Sequence, residues 1–228
     1  MTQAVAPRRR SDAGGYARGE ETRARIVAAA LQVFGAEGFE RGSTRQIAAL
    51  AGAPPPALQY YFDSKEGLHR ACAEFIIDSV MGALSPALRA ADEALAAGGA
   101  GRALDALCDL LDAIVEFSVT SPDAAVRSRF IGRGQSDGAG PAFPLIRDRI
   151  SHPLHAVCSR LVGAALGLDP NDDETRLCAT VVLSPLTAFH VNRANTLAIL
   201  HWDNFDGDRL ATIKKVLRAR TRAALTPG

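Results

Sequence analysis

The first regular pattern of apolar residues lies between about Glu20 and Ala36. Ile26, Ala30 and Phe34 recur every four residues, which is the spacing of one buried stripe on an α-helix. Gly38 follows closely and is typical of a helix C-terminal stop. The pattern therefore predicts an amphipathic first helix that packs on a core.

Two short helices are predicted next. Ser43 and Gln46 have the spacing of a capping box, in which each side chain satisfies a backbone N–H group of the first turn. The second short helix begins within Pro54–Pro56, where prolines cost least because the first N–H groups of a helix have no intrahelical partner. Ser64 then caps a fourth helix that begins at Lys65. Apolar residues at helical spacing are expected to face inward in these helices: Ile47, Leu50 and Ala51; Leu58 and Phe62; Leu68, Cys72, Phe75, Ile76 and Val80.

Beyond residue 82, helical patterns alternate with joints rich in glycine and proline. Loops are predicted at 97–101 and 132–141, and helices near 103–120, 142–167, 172–200 and 206–225. No segment of any length has the period of a strand. The sequence predicts an all-α protein with an N-terminal three-helix domain and a larger C-terminal helical domain for ligand binding and dimerisation. The predicted boundaries are 1–18 for a disordered basic arm, 19–66 for the N-terminal domain and 67–228 for the rest.

The two short helices, 44–51 and 55–61, are joined by a tight turn, an arrangement typical of a helix-turn-helix that places its second helix in the DNA major groove. A longer string of residues narrows this interpretation, because its members occur in order at fixed spacing. They are Thr22-Arg23-x-x-Ile26, Phe34-Gly35-x-x-Gly38-Phe39, Ser43-Thr44-Arg45-Gln46-Ile47-Ala48, Ala51-Gly52, Tyr60-Tyr61-Phe62 and Ser64-Lys65-Glu66-x-Leu68. This string resembles the DNA-binding domain of the TetR family of bacterial transcriptional regulators over residues 20–70. The stretch 56–62 and the region 141–153 also look like the CecR-type subgroup.

The resemblance implies which residues contact DNA. Position by position they are Thr44, Arg45, Pro55, Pro56, Ala57, Gln59, Tyr60, Tyr61 and Lys65. Gln59 is suited to a bidentate contact with adenine, and the hydroxyl groups are suited to phosphate oxygens. The chain departs from the family at Pro54, where a small polar cap is usual, and at Gln59, where a tyrosine is common. The first change removes a side-chain cap, and the second alters which base is read.

The net charge is +1 at pH 7, yet residues 1–70 hold ten Arg and Lys against seven Asp and Glu. Arg8, Arg9, Arg10 and Arg18 lie within the first eighteen residues, which lack periodicity and are predicted to be a disordered arm. Such an arm can follow the DNA minor groove or phosphates. The alternative is a solvated tail with no defined partner.

Specific DNA binding by one helix-turn-helix normally uses two copies in a symmetric dimer. Helices 172–200 and 206–225 are the predicted dimer surface, because they are rich in apolar residues and the last two long helices pair in the family as a four-helix bundle. Pro185 is expected to kink the first of them.

The remaining helices, about 72–168, are expected to enclose a ligand pocket, as they do in TetR-like proteins. Arg129, His155, His190 and Arg193 are polar residues in apolar contexts and are candidates for ligand binding; packing or solvent exposure is the alternative for each. His152-x-x-His155-x-x-Cys158 has a superficial likeness to a metal site. However, its third member is rotated about 120° from the first on a helix, so no metal site is predicted.

Other function classes lack their signatures. There is no G-x-S-x-G or H-E-x-x-H motif, and the glycines of 132–141 lack the Gly-Lys-Ser/Thr ending of a phosphate loop. No apolar run follows Arg8–Arg10, as a secretory signal requires, and no charge-free stretch reaches the about twenty residues of a membrane span. Cys72, Cys108, Cys158 and Cys178 form no C-x-x-C pair, which is typical of a cytoplasmic protein, with a redox-sensing pair as the alternative.

The sequence thus predicts a ligand-responsive, homodimeric DNA-binding regulator. We expect a cytoplasmic repressor that binds a palindromic operator, is released by a small-molecule effector and uses no cofactor. The alternative is a helical enzyme or small-molecule carrier that retains the fold without binding DNA.

Overall fold

The computed structural model describes residues 13–136 and 140–225, which form helices joined by turns and confirm the all-α prediction. The N-terminal helices are α1 (Ala13–Arg41), α2 (Thr44–Leu50), α3 (Pro55–Phe62) and α4 (Lys65–Ala97). The later helices are α5 (Ala100–Thr120), α6 (Ala124–Ser136), α7 (Ala142–Ile146), α8 (His152–Leu166), α9 (Asp173–Leu183), α10 (Thr187–His190), α11 (Arg193–Leu200) and α12 (Asp208–Leu225). A π-helical turn (Arg147–Ser151) joins α7 to α8, and a 3₁₀ turn (Ser184–Leu186) joins α9 to α10.

Helix α1 begins at Ala13, so the prediction that residues 13–18 belong to a disordered arm is wrong. A helix that is already nucleated can extend through glycines, each of which costs only about 1 kcal/mol. Arg18 is therefore helical and exposed, whereas Arg8–Arg10 lie outside the described residues. At the other end the helical geometry breaks at Gly38 (φ 83°, ψ 170°), the predicted stop.

The predicted capping box of α2 is confirmed. The Arg45 N–H donates to Ser43 Oγ at 3.2 Å, and the Ser43 N–H donates to Gln46 Oε1 at 3.1 Å. Leu50, which we expected to face inward, is instead exposed, and Ala48 takes the buried position. The reason is the shortness of α2, in which only one turn contacts the core.

Helix α3 begins where three prolines predicted it. Pro55 and Pro56 occupy its first turn, and Pro54 precedes them without a side-chain cap. Leu58 and Phe62 are buried as predicted, and each buried side chain contributes about 1.5–3 kcal/mol. These two anchors fix which side of α3 faces outward.

Helix α4 runs for 33 residues and passes through Pro86 without ending. It packs against α1, α5 and α7 and crosses the predicted domain boundary at residue 67. Phe75, expected on its buried face, is exposed. Among the described residues, α4 is the helix long and apolar enough by length and composition to cross a membrane, a test that a core helix also passes.

The prediction of a loop over 132–141 is wrong for residues 132–136, because α6 continues to Ser136. Two glycines at the contacts of α6, one in α6 and one in α1, have a packing role. A Cβ on Gly134 would lie 3.3 Å from the Phe143 ring, and a Cβ on Gly35 of α1 would lie 3.2 Å from the Phe130 nitrogen of α6. Glycine therefore lets α6 approach both α7 and α1 closely.

The single helix predicted over 172–200 is divided into α9, α10 and α11. Pro185 produces the predicted distortion as a 3₁₀ turn, and a second break falls at Val191 and Asn192. The predicted break at 201–205 is present, and His201 there adopts a left-handed φ of 54°.

Helix α5 is the centre of the C-terminal domain, with α4, α8 and α12 packed around it. Acidic residues of α5 face basic residues of α12. Arg218 donates to Asp112 at 2.7 Å and to Asp109 at 2.5 Å, and Lys214 donates to Glu116 at 2.5 Å. These ion pairs tie the last helix to the core.

Thr175 of α9 is fully buried, and its hydroxyl group has no hydrogen-bond partner among the described residues. Burying an unpaired hydroxyl costs about 1–3 kcal/mol, so Thr175→Val, which keeps the shape, is expected to raise the free energy of unfolding by about 1 kcal/mol. Urea unfolding checks this. Thr212→Val, at an exposed threonine, is the control and is expected to change little; equal effects at both sites would contradict the prediction.

Candidate DNA-binding surface and ligand cavity

The outward face of α3 carries most of the predicted DNA contacts. Pro55, Pro56, Gln59 and Tyr60 are exposed, and the Tyr60 side chain has 81 % of its surface accessible. The Tyr60 ring packs edge-on against the Tyr61 ring at 5.0 Å between centroids. A large aromatic residue held outward on a well-anchored helix is suited to reach into a groove.

Helix α2 adds polar residues beside this face. Thr44 and Arg45 are exposed, and together with Pro55, Gln59 and Lys65 they border one shallow recess of about 260 Å³. The structure thus brings together residues from three consecutive helices that the sequence analysis selected.

The remaining predicted contacts are less accessible. Ala57 and Tyr61 are half-buried. The Lys65 ammonium group donates to the Glu40 carbonyl at 2.9 Å and lies 4.9 Å from the centre of the Phe39 ring. Lys65 therefore ties the end of α1 to the start of α4 and retains further N–H groups for an anion.

Gly67 is a structurally essential position that the sequence analysis missed. A Cβ at this residue would overlap the Phe62 carbonyl oxygen. The Gly67 N–H also donates to Ser64 Oγ at 3.0 Å, which caps α4. The absence of a side chain thus sets how closely α4 follows α3; the glycine inside the Ser64–Leu68 motif was the available signal.

A cavity of about 370 Å³ lies within the C-terminal domain, in the size range of pockets for drug-sized molecules. Side chains from α4, α5, α6, α7, α8, α9 and α10 line it. Its apolar lining includes Val80, Leu84, Ile114, Phe117, Ile131 and Phe143.

Two of the four predicted ligand-binding residues, His155 and His190, line this cavity. His155 Nε2 lies 2.9 Å from Thr180 Oγ1 and 3.1 Å from the Arg176 carbonyl oxygen. His190 Nδ1 lies 2.7 Å from the Leu186 carbonyl oxygen. Burial lowers the pKa of His190; the hydrogen bond to the Leu186 carbonyl opposes this change, and nearby Arg127 adds to it.

Arg129 and Arg193 do not line the cavity. They border a separate groove between α1, α6 and α11, where Arg129 is exposed and the Arg193 guanidinium lies 4.9 Å from the Phe205 ring centre. Their assignment to the same site as the histidines is therefore corrected. Sequence spacing could not distinguish which side of α6 each arginine takes.

Arg127 is a charged cavity residue that the sequence analysis missed, as it missed the hydroxyl residues Thr180, Ser184 and Thr187. Its buried guanidinium donates to Asp123 Oδ1 at 2.8 Å, to Ser121 Oγ at 2.6 Å and to the Phe117 carbonyl at 3.2 Å. Burial lowers the pKa of Arg127, and Asp123 opposes that change. The four-residue spacing of Asp123 and Arg127 was a signal for this pair.

His69 occupies the junction between the two domains. Its ring lies between Phe34, Phe39 and Phe130, at centroid distances of 4.9, 4.7 and 5.0 Å. Its Nδ1 accepts the Ala142 N–H at 3.2 Å. Burial, with a smaller effect from Lys65, lowers the pKa of His69 to about 4, so the ring is neutral near pH 7. His69 thus links α4 to α1, α6 and α7.

The sequence likeness to a metal site is not matched by the geometry. His152 is exposed, whereas Cys158 is fully buried, so the two side chains of α8 face different environments. Across the described ranges, no group of three or more potential ligands is close enough to hold a metal ion.

A helix-turn-helix with an exposed recognition face, joined by a shared helix to a domain with a ligand-sized cavity, defines the class of ligand-responsive DNA-binding regulators. Two family models match the chain. Residues 26–72 match the bacterial regulatory proteins of the tetR family, and residues 103–226 match the C-terminal domain of the HTH-type transcriptional dual regulator CecR. The chain belongs to the TetR family of bacterial transcriptional regulators, as the sequence resemblance predicted.

Individual relatives agree with this membership. The dual regulator CecR of Shigella flexneri is 31 % identical over 203 residues, which cover 88 % of this chain and 89 % of that protein. The structure of NalD from Pseudomonas aeruginosa, the secondary repressor of a multidrug efflux pump, is similar with a TM-score of 0.62 and 16 % identity, covering 91 % and 98 % of the two chains. A transcriptional regulator from Rhodococcus sp. Rha1 has a TM-score of 0.61 and 16 % identity, covering 90 % and 99 %. The two structural likenesses show the fold alone.

Proposed function

We propose that the protein is a cytoplasmic homodimeric repressor that binds a near-palindromic operator and is released by a small molecule bound in the C-terminal cavity. The observation that carries this proposal is the outward Gln59–Tyr60 face of α3, on a chain that also holds a 370 Å³ cavity. The relative from Shigella flexneri is named a dual regulator, so activation at some promoters is compatible with this function.

In this proposal α3 enters the DNA major groove, and residues of α2 and α4 bind the phosphate backbone of the DNA on either side. Gln59 reads an adenine edge, and Pro55, Pro56 and Ala57 offer small apolar surfaces to thymine methyl groups. Thr44, Arg45, Tyr60, Tyr61 and Lys65 bind phosphates, with Arg45 also able to reach a guanine. The shared recess of α2, α3 and α4 supports this grouping.

A second copy of the chain binds the other half-site of the operator. Exposed apolar residues on the last helices support a dimer there: Leu177, Val181, Ile199, Leu200 and Val216. Large apolar side chains that stay exposed in one chain are typical of an interface between subunits. Two copies of α3 related by a twofold axis match a palindromic site.

Helix α4 supports coupling between the two sites. Val80 and Leu84 line the cavity, and the same helix begins at Lys65 beside α3. A ligand that binds one position of α4 better than another shifts the spacing of the two recognition helices. Typical coupling of this kind is about 1–3 kcal/mol.

Operator binding tests the function. Gln59→Ala with Tyr60→Ala is expected to weaken binding to duplex DNA from upstream of the protein's own gene by at least about tenfold, since the base contact of Gln59 is worth about 1–3 kcal/mol and the phosphate contact of Tyr60 is lost as well. Fluorescence anisotropy at low salt measures the affinity.

Gln32→Ala, at an exposed glutamine of α1 away from this face, is the matched control and should bind as the unchanged protein does. An unchanged affinity in the double variant would refute the assigned interface. No binding by the unchanged protein would instead favour a helical enzyme or carrier that has kept the fold.

A further inference from the structure

The wall of the cavity formed by α9 and α10 has an ordered row of polar side chains. Thr180, Ser184, Thr187 and His190 all line the cavity and follow one another at intervals of four, three and three residues. Such intervals place the four side chains on one face of a helix. The 3₁₀ turn at Ser184–Leu186 does not interrupt this row.

Each member of this row donates its polar hydrogen to its own backbone. Thr180 Oγ1 donates to the Arg176 carbonyl at 2.9 Å, and Ser184 Oγ donates to the Thr180 carbonyl at 2.7 Å. Thr187 Oγ1 donates to the Ser184 carbonyl at 2.7 Å. The three hydroxyl hydrogens are therefore used, and the oxygens retain only lone pairs, one of which on Thr180 accepts from His155 Nε2 at 2.9 Å.

The histidine follows the same rule. A carbonyl oxygen cannot donate, so the 2.7 Å contact between His190 Nδ1 and the Leu186 carbonyl places the ring proton on Nδ1. The lowered pKa of His190 keeps the ring neutral, which leaves Nε2 as an acceptor. All four side chains of this row are acceptors.

Four further polar residues line the cavity: Ser118, Arg127, Ser151 and His155. The hydroxyl groups of Ser118 and Ser151 can each donate or accept, whereas His155 and Arg127 are engaged within the protein. His155 Nε2 donates toward Thr180 Oγ1 and the Arg176 carbonyl, and its Nδ1 accepts from Ser159 Oγ at 3.4 Å. The positive charge of Arg127 is balanced by Asp123 at 2.8 Å. The cavity thus offers no uncompensated cation to an anionic ligand.

We propose that the cavity selects an uncharged, largely apolar molecule that carries hydroxyl or N–H donors along one edge, and that it rejects carboxylates. The proposal rests on the proposed function in taking this cavity as the effector site. Solvent reaches Thr180, Ser184 and Thr187, so water satisfies the acceptors when the cavity is empty. A ligand without donors displaces this water and leaves the acceptors unpaired, and a carboxylate adds like-signed oxygens.

Three probes with one scaffold test the proposal on the full chain by isothermal titration: biphenyl-4-ol, 4-methoxybiphenyl and biphenyl-4-carboxylate. The phenol is expected to bind about tenfold more tightly than the methyl ether, the upper range for one net hydrogen bond. The carboxylate is expected to bind at least about tenfold more weakly than the ether, because its desolvation is not compensated.

A double variant identifies the acceptors. Thr187→Val with His190→Phe is expected to reduce the preference for the phenol over the ether to below about threefold, while ether binding is retained. Thr212→Val is the matched control, because Thr212 also donates to its own helix, at 2.9 Å to the Asp208 carbonyl, but lies outside the cavity. It should keep the full preference.

Three results would overturn the proposal: equal binding of phenol and ether, tighter binding of the carboxylate, or no binding of any probe. Operator affinity is measured on the same samples without probes. Its loss would refute the regulatory function, whereas a donor preference in the titrations would still stand as a property of the cavity. The two failures are therefore distinguishable.

Discussion

Gly67→Ala is expected to destabilise the N-terminal domain by about 3 kcal/mol or more and to abolish specific operator binding. The new Cβ would overlap the Phe62 carbonyl oxygen, and main-chain atoms have little freedom to move aside. Relief requires α4 to shift relative to the end of α3, which reorients Gln59 and Tyr60. Since specific binding exceeds non-specific binding by about 10³-fold or more, a misplaced recognition helix loses at least about 100-fold in affinity.

Thermal unfolding and anisotropy measure the two effects. Gly82→Ala is the control within the same helix, because a Cβ there meets nothing within 4 Å. That variant is expected to gain about 0.5–1 kcal/mol of stability from the removal of a helical glycine and to keep full operator affinity. If Gly67→Ala bound the operator as tightly as Gly82→Ala, the close approach of α3 and α4 would have no role in DNA binding.

The second large effect concerns pH. Because the pKa of His69 falls from 6.5 in the unfolded chain to about 4 in the fold, the unfolded chain binds more protons between these values. Stability is therefore expected to decrease as the pH falls from about 6.5 to 4, by about 3 kcal/mol from this residue alone. His190, whose pKa is also lowered by burial, adds a change of the same sign.

His69→Gln isolates the contribution of this residue, since an amide oxygen can accept the Ala142 N–H without titrating. Its unfolding free energy, followed by urea denaturation from pH 7 to pH 4.5, should fall less steeply than that of the unchanged protein. Gln32→Ala, which removes no titratable group, is expected to retain the original slope. Identical slopes for the His69 variant and the unchanged protein would show that burial among Phe34, Phe39 and Phe130 does not oppose protonation of His69.

The parts of the fold that sequence predicted well depend on local interactions. The capping box of α2 and the prolines at the start of α3 act within one helical turn, so their spacing alone located both elements. The inward positions Leu58 and Phe62 followed from the same local periodicity. The exposed face of α3 is the side of the helix opposite Leu58 and Phe62, so it followed from the same pattern.

The errors arose where tertiary packing overrides local preference. Helix α6 continues through Gly132 and Gly134, the second of which lies close to the Phe143 ring, and α4 continues through Pro86 within a packed bundle. Arg127 and Arg129 are two residues apart on α6 and so take different sides of it, one at the cavity and one at the groove. Nothing local to the sequence says which side faces the cavity.

The continuity of α4 limits how such regulators can be recombined. Its 33 residues form a rod of about 50 Å, whose first turns belong to the DNA-binding half and whose later turns form a wall of the cavity. A chimaera that takes its two halves from different parents must be joined inside this rod. Because each added residue rotates a helix by about 100°, only joints that conserve whole turns, such as an offset of seven residues, keep the halves in phase.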